Sequence, residues 1–288
     1  MRVIPPSELP INANGSVFHL HLRPEQLAEK IIMMGDPNRV PLVAQQFDSI
    51  EFDQQSREFR VITGLYKGTR ITALSHGIGC DNIDIVINEL DALANIDLTT
   101  RQVKEKLTRL TMVRIGTCGG LQPFCPIGSY VVSEVSMGMD GLLFFYDRGN
   151  AVSDEAITQA FCAHTHWNSQ FATPYFVHAD KQLVNKVGEG MIKGITCSAN
   201  GFYGPQGRYV RLPLAHPGQN ERLESFAYKD LRFVNYEMES AALAGLSALM
   251  GHAAMTVCLV IANRYSNEMN TSYTGSFDDL ITNVLDRI

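Results

Sequence analysis

Short β-rich runs alternate with segments of helical spacing along most of this chain, and that alternation restricts its fold more than any other feature. Residues 40–47 and 82–94 have helical spacing, and the second segment places Ile83, Val86 and Leu90 on one face. Strands that alternate with helices predict an α/β fold. The runs predicted as strands are 31–35, 59–66, 69–75, 112–116, 129–135, 173–178, 192–198 and 253–262. A Lys-Gly pair separates two of them, which predicts an antiparallel hairpin and therefore a mixed sheet.

The chain is expected to form one large domain. Its 288 residues lie within the range of single α/β domains, and no Pro/Gly/Ser linker or internal repeat divides it. Residues 1–13 are polar and rich in proline, so we expect a loosely ordered arm there, followed by a domain over residues 14–288.

Composition and charge exclude several classes of protein. The formal net charge is -6 and no long Lys/Arg run occurs, which argues against a nucleic-acid partner. The longest apolar run, 253–262, is about half of the roughly 20 residues that a membrane-spanning helix needs, so no membrane association is expected. The first residues lack the apolar stretch of a signal peptide, and the six cysteines form no C-x-x-C pair. We therefore expect a cytoplasmic protein.

Two segments are candidates for binding an anion. Residues 35–39, Gly-Asp-Pro-Asn-Arg, follow a buried strand and precede a helix, so backbone N–H groups and Arg39 can face a phosphate; an ordinary βα turn is the alternative. Arg114 lies inside an apolar strand that ends with Thr117 and several glycines. A buried arginine needs a partner, which is either a structural carboxylate or a bound phosphate. No Walker pattern and no G-x-G-x-x-G occurs.

A carboxylate and a loop are candidates for binding a sugar and a base. Residues 235–240 are predicted to open an alanine-rich helix. Acidic residues are favoured in the first turn of a helix by the helix dipole, whatever their role. Glu239 can also accept hydrogen bonds from ribose hydroxyls. The loop that contains Phe202 also carries Gln206 and Arg208. A glutamine amide can pair with O2 and N3–H of uracil while an arginine donates to O4, whereas cytosine would turn an amino group toward that arginine.

Other chemistries find little support. His164 and His166 are close in sequence, but no H-E-x-x-H motif or cysteine pair accompanies them, so no metal site is expected. No G-x-S-x-G window has the strand-to-helix setting of a catalytic serine. Residues 99–109 carry four basic side chains and are expected to form a solvated excursion rather than a nucleic-acid patch.

Taken in order, the motifs resemble those of the nucleoside phosphorylase family over residues 17–264. The loop at 202–208 and residues 261–264 resemble the uridine branch of the family. Purine enzymes of the family instead carry an Asp where this chain has Asn263. The matching segments are Val17-Phe18-His19-Leu20, Gly35-Asp36-Pro37-Asn38-Arg39, Arg57-Glu58-Phe59, Gly77-Ile78-Gly79, Arg114-Ile115-Gly116-Thr117 and Tyr236-Glu237-Met238-Glu239.

This resemblance implies a single three-layer α/β/α domain around a mixed, partly barrelled sheet, in a homo-oligomer whose subunits share their active sites. The phosphate site would comprise Gly35, Arg39, Arg114 and Thr117, with Arg57 from the neighbouring subunit. The ribose site would comprise Met238 and Glu239, with His19 from the neighbour. The base site would comprise Phe202, Gln206, Arg208, Ile261, Ala262 and Arg264. Arg114, Glu239 and Arg208 would carry most of the catalysis.

The implied reaction is reversible phosphorolysis of uridine to uracil and ribose 1-phosphate, by displacement at C1′ with inversion. Phosphate is a co-substrate and no cofactor is expected; deoxyuridine or thymidine are possible further substrates. Cys80-Asp81-Asn82 replaces a more usual Gly-Pro-Ser-like sequence, which argues against a monovalent cation site. The alternatives are a purine nucleoside phosphorylase, a nucleoside hydrolase of the same family, and a non-catalytic nucleoside-binding protein. Dimer and hexamer both remain open.

Overall fold

The computed structural model describes residues 2–288. The strands, in chain order, are β1 (Lys30–Met34), β2 (Ser49–Ser56), β3 (Phe59–Tyr66), β4 (Thr69–Ser75), β5 (Ile96–Asp97), β6 (Gln102–Val103), β7 (Thr111–Gly120), β8 (Tyr130–Gly138), β9 (Tyr175–His178), β10 (Ile192–Ser198), β11 (Ala227–Tyr228), β12 (Leu231–Glu237), β13 (Ala253–Asn263) and β14 (Glu268–Met269). The α-helices are α1 (Val40–Ala44), α2 (Cys80–Asn95), α3 (Glu155–Thr165), α4 (Lys181–Lys186), α5 (Gln219–Ser225), α6 (Ser240–Met250) and α7 (Thr274–Arg287).

The main sheet is mixed and closes on itself along part of its width. Its order is β11-β12-β10-β8-β13-β7-β1-β4-β3-β2, and β12 also pairs with β7, so the strands β7, β13, β8, β10 and β12 form a closed ring. The predicted hairpin of β3 and β4 is antiparallel, whereas β1 runs parallel to both β4 and β7. The expectation of a mixed, partly barrelled sheet is confirmed.

Helices cover both faces of this sheet, which confirms the three-layer α/β/α arrangement. On one face α1 and α7 bury Val43 and Phe277 against the sheet, and on the other α2 and α6 bury Leu90 and Leu243. Each such fully buried side chain contributes about 1.5–3 kcal/mol of hydrophobic free energy. Packing on both faces therefore fixes the strand ends at which the polar residues lie.

Strand β7 continues four residues beyond the predicted end at Gly116. Its last two residues are glycines that pair with a strand on each side. On one side Gly119 pairs with Tyr236 of β12 and Gly120 with Asn235, and on the other side both glycines pair with the end of β13. A Cβ on Gly120 would lie 2.8 Å from the carbonyl oxygen of Cys125. These glycines therefore serve the close approach of strands rather than forming a turn.

The prediction that residues 235–240 open a helix is wrong. Asn235, Tyr236 and Glu237 end strand β12, which pairs in parallel with β10, and the helix begins only at Ser240. The pairing between β10 and β12 joins segments distant in sequence, so it overrides the local acidic signal of a helix start. Glu237 consequently lies at a strand end and Glu239 at the N-cap of α6.

The insertion at residues 99–109 includes β6, which pairs with β5 just before it in a small two-stranded sheet, and Arg101 in the turn between these strands contacts the N-terminal arm. The Arg101 guanidinium donates to the backbone carbonyls of Ile4, Pro5 and Leu9. The division into an arm and one domain stays a prediction. In residues 2–288, no helix combines the length and apolarity that crossing a bilayer requires.

Candidate active site

A cavity of about 880 Å³ opens at the carboxyl ends of the parallel strands β1, β4, β7 and β13. Ligand sites in α/β sheets are found at such strand ends. Eleven of the residues predicted from the sequence line it. They are Gly35, Arg39, Arg114 and Thr117 of the expected phosphate site, Met238 and Glu239 of the ribose site, and Phe202, Gln206, Arg208, Ile261 and Ala262 of the base site.

Arg39 lies at one end of the cavity and is held by the segment that leads into α7. The Asp36 carboxylate accepts a hydrogen bond from the backbone N–H of Asn38 at 2.8 Å and so caps the short turn that carries Arg39. The Arg39 guanidinium donates to the Tyr273 hydroxyl at 2.9 Å and lies 4.6 Å from the centre of the Phe277 ring. These contacts orient a half-buried positive charge without neutralising it.

Arg114 is buried and has carboxylate partners. Its Nη1 lies 3.0 Å from the Glu237 carboxylate, and its Nη2 donates to Glu239. Burial alone would lower the pKa of Arg114, but the two carboxylates raise it above its usual value. The structural explanation considered for this arginine therefore holds, and the same guanidinium also lines the cavity, where it can contact an anion.

The two carboxylates at the end of β12 have different surroundings. Glu237 is bonded on all sides by protein, since it accepts hydrogen bonds from the Ser198 and Ser240 hydroxyls and from the backbone of Glu239. Glu239 accepts from the backbone N–H of Gly79 at 2.8 Å. Burial raises the pKa of Glu239, and Arg114 opposes that rise. Glu237 thus anchors the site, and Glu239 is the better placed of the two to meet a ligand.

The loop at the other end of the cavity brings an aromatic ring, an amide and a guanidinium together. Arg208 donates to the Gln206 side-chain oxygen at 2.5 Å and to the Phe202 carbonyl, and its guanidinium carbon lies 3.6 Å from the centre of the Phe202 ring. Burial, with Arg264 nearby, lowers the pKa of Arg208 to about 10. Gln206 is buried, so its amide is fixed in orientation.

Arg264 supports this loop from behind instead of lining the cavity. Its Nη2 donates to the backbone carbonyl of Gln206 at 3.0 Å, and burial lowers its pKa. The adjacent Asn263 is turned away: its amide nitrogen donates to the carbonyls of Gln122 and Cys125, and its oxygen accepts from the backbone of Tyr265. Asn263 is thus committed to the backbone.

His19 and Arg57 do not line the cavity of their own chain. Arg57 is exposed at the turn between β2 and β3, with a positive φ of 55°. His19 Nδ1 lies 2.7 Å from a Glu89 carboxylate oxygen on α2. Both residues were expected to act on a neighbouring subunit, and those roles stay predictions.

Several lining residues were missed as candidates from the sequence. Tyr203, Glu58, Ile78 and Met269 face the cavity although no role was predicted for them. Glu58 and Ile78 lie inside motifs that the sequence analysis had matched to the family, so their position in those motifs could have indicated that they line the site. Glu237 was also missed, and the signal for it was the buried charge of Arg114, which required an acidic partner.

Comparison with known proteins agrees with this fold. The sequence pattern of the Phosphorylase superfamily matches residues 29–287. A uridine phosphorylase of Thermococcus kodakarensis is 30% identical over 91% of this chain and 83% of its own length. A uridine phosphorylase of Salmonella typhimurium is 30% identical over 91% of this chain and 92% of its own. The chain belongs to the phosphorylase superfamily.

A solved structure is similar over nearly the whole chain. It is the Trypanosoma brucei nucleoside phosphorylase described as showing uridine phosphorylase activity, with a TM-score of 0.88 and 28% sequence identity. The superposition covers 96% of this chain and 99% of that one. The cavity therefore lies in a fold that this relative shares from end to end.

Proposed function

We propose that this protein catalyses the reversible phosphorolysis of uridine, releasing uracil and forming ribose 1-phosphate. The names of its relatives support the reaction class, and the cavity supplies the residues. Phosphate would bind between Gly35, Arg39, Arg114 and Thr117, ribose beside Met238 and Glu239, and uracil beside Phe202, Gln206 and Arg208.

The observation that carries the choice of base is the contact between Arg208 and Gln206. An amide oxygen has two lone pairs, so Gln206 Oε1 can accept from Arg208 and from uracil N3–H together. Arg208 then lies beside O4, the next group on the ring, and the amide nitrogen of Gln206 can donate to O2. Cytosine would present an acceptor to Oε1 and a donor to Arg208, which disfavours it.

The reaction would proceed by positioning and electrostatics. Phosphate held by Arg39 and Arg114 attacks C1′ from one face while uracil leaves from the other, and the ribose develops oxocarbenium character. No side chain becomes covalently attached. Arg208 stabilises the negative charge that grows on O4 as the bond to C1′ breaks, and such charge stabilisation supplies much of an enzyme's rate.

The alternatives fit the cavity less well. A purine enzyme of this family needs an acid to protonate the purine ring, and Asn263, at the corresponding position, is neutral and bonded to backbone. A hydrolase needs no anion site, whereas Arg39 keeps a charge without a carboxylate partner among residues 2–288. Both observations favour phosphorolysis of a pyrimidine nucleoside.

The proposal includes a homo-oligomer with shared active sites. Three exposed apolar side chains adjoin residues of α2 or their partners: Phe18 beside His19, Ile78 just before the helix, and Phe145 beside Tyr146, whose hydroxyl donates to Asp84 of α2. Such a surface suits burial against a second copy, and His19 is bonded to α2 through Glu89. We also propose that the enzyme is cytoplasmic and needs no cofactor, with phosphate as its co-substrate.

Incubation of the pure protein with a panel of nucleosides tests this function. Uridine, deoxyuridine, thymidine, cytidine, inosine and adenosine are each supplied with and without phosphate, and base release is followed. We expect release from uridine only when phosphate is present. Preference for inosine or adenosine would contradict the base assignment, and equal release without phosphate would contradict the anion site.

A further inference from the structure

His76 is a buried histidine for which the reaction so far has no role. It follows β4, and its backbone N–H donates to the Met34 carbonyl at 2.8 Å, while the next residue, Gly77, donates to the Gly35 carbonyl at 3.0 Å. Strand β1 lies between β4 and β7. His76 therefore lies at the same edge of the sheet as Gly35 and Arg114, the two sides of the proposed phosphate site.

The imidazole of His76 contacts Arg114 directly. Arg114 Nε donates to His76 Nε2 at 3.2 Å, and both side chains are buried. An arginine only donates hydrogen bonds, so His76 Nε2 must be an acceptor and the ring must be neutral, with its proton on Nδ1. His76 is thus the neutral partner of a guanidinium whose other two nitrogens contact Glu237 and Glu239.

Each nitrogen of Arg114 therefore has a partner; two of these partners are carboxylates and the third, His76, is neutral. The carboxylates bind the Nη1 and Nη2 ends strongly and pull the guanidinium toward the end of β12. His76 holds the Nε edge from the side of Gly35, where the phosphate would lie. A guanidinium is planar, so contacts at Nε and at both Nη atoms fix its rotation as well as its position.

The contact with Arg114 is the hydrogen bond that holds the His76 ring. Its Nδ1 has no hydrogen-bond partner in residues 2–288, whereas buried polar groups are usually paired. Gly35 packs beside it: a Cβ at Gly35 would lie 3.9 Å from His76 Cε1, an ordinary van der Waals distance, and 3.3 Å from the Gly77 carbonyl oxygen. His76 is therefore packed next to Gly35, which lines the cavity.

We propose that His76 is a positioning residue that sets the orientation of Arg114 for phosphate. This inference rests on the proposed function, because it assigns phosphate to Arg114. His76 itself does not line the cavity and acts through the guanidinium. The inference predicts that loss of the Nε2 acceptor affects the use of phosphate and leaves the binding of uridine nearly unchanged.

The test compares His76→Gln, whose side-chain oxygen can take the place of Nε2, with His76→Leu and His76→Asn, which provide no acceptor at that reach. Phosphate is varied at saturating uridine, and uridine at saturating phosphate. For Leu and Asn we expect the KM for phosphate to rise about tenfold or more, as loss of a hydrogen bond to a charged group implies, with the KM for uridine within about twofold. The Gln variant should lie within about threefold of the parent for both substrates.

A matched control is His252→Gln. His252 is also buried and hydrogen-bonded, to the backbone of Leu110 and to Asp91, but it lies outside the cavity lining. It should leave both KM values at the parental level. The positioning role would be overturned by equal effects of the Leu and Gln variants at position 76, or by equal rises in the KM values for phosphate and uridine. If the Leu variant does not fold, the comparison of the Asn variant with the Gln variant decides.

A separate measurement distinguishes failure of the proposed function from failure of the role proposed for His76. If the parent shows no phosphate-dependent release of uracil, that function is wrong. Binding of inorganic phosphate by calorimetry then still tests His76, since the Leu or Asn variant should bind phosphate about tenfold more weakly than the parent and the Gln variant should not. Unchanged phosphate binding in all variants would overturn the inference.

Discussion

Arg208 donates a hydrogen bond to the side-chain oxygen of Gln206 across 2.5 Å. This contact fixes the orientation of the amide, with its oxygen toward the guanidinium. The Gln206 backbone carbonyl is held in turn by Arg264 at 3.0 Å. Gln206 is therefore held at both its side chain and its backbone, in the orientation that the proposed binding of uracil requires.

Replacing Gln206 with Leu should reduce kcat/KM for uridine by about 100-fold or more. The change keeps approximate volume but leaves O2 and N3–H of uracil without partners, and each unsatisfied buried group costs about 1–3 kcal/mol. Steady-state kinetics with uridine varied measure the loss, and phosphate affinity serves as the internal control because it should not change. A variant with parental uridine turnover would refute the base assignment.

Arg208→Leu should lower kcat more than it raises the KM for uridine, because the arginine stabilises charge that develops only as the bond to C1′ breaks. The matched variant is Arg208→Lys, which keeps the charge but loses the planar contact with the Phe202 ring. We expect Lys to retain more of kcat than Leu. An equal loss in both variants would show that charge at this position does not serve the chemical step.

Glu239→Gln should impair uridine more than deoxyuridine. A carboxylate accepts hydrogen bonds from sugar hydroxyls more strongly than an amide does, and deoxyuridine lacks the 2′-hydroxyl. The measurement is the ratio of the kcat/KM values for uridine and deoxyuridine, in the parent and in the variant. Loss of the ion pair with Arg114 affects both nucleosides alike, so it does not change this ratio. An unchanged ratio contradicts a ribose-binding role.

The free energy of unfolding should decrease as the pH is lowered, because of His76. Burial and the neighbouring Arg114 hold the pKa of His76 well below 6.5 in the folded protein, whereas the unfolded chain takes up that proton near pH 6.5. The unfolded state thus binds more protons below pH 6.5, and stability decreases there by at most about 1.4 kcal/mol per pH unit for this one proton.

Urea unfolding of the parent and of His76→Gln at pH 7.5, 6.5 and 5.5 measures this linkage. The variant cannot bind that proton in either state, so its stability should decline less steeply between pH 6.5 and 5.5. Parallel declines in the two proteins would mean that His76 does not titrate differently on folding.

The sequence predicted the fold well where the signal was local. The turn at Lys67-Gly68 located the β3–β4 hairpin correctly, and the isolated charge of Arg114 indicated a buried partner. Predictions failed where pairing between distant segments decided the outcome. Asn235 and Glu237 have the local features of a helix start, but β10 and β7 draw them into the sheet.

The role proposed for His76 was hidden in the sequence for the same reason. Its contact with Arg114 depends on the strand order β4-β1-β7, which joins residues 38 positions apart. The shared site expected for His19 and Arg57 depends on a second chain, so a single chain leaves it a prediction.

Phosphorus NMR of the pure protein with uridine and inorganic phosphate tests the central claim most directly. The spectrum follows the disappearance of inorganic phosphate and the appearance of a sugar phosphate ester, while uracil is measured in the same sample. We predict ribose 1-phosphate formed in equal amount to the uracil released, with the α anomer expected from inversion at C1′. Uracil released with the phosphate signal unchanged would indicate hydrolysis, and no uracil release would leave only binding; either result contradicts the account.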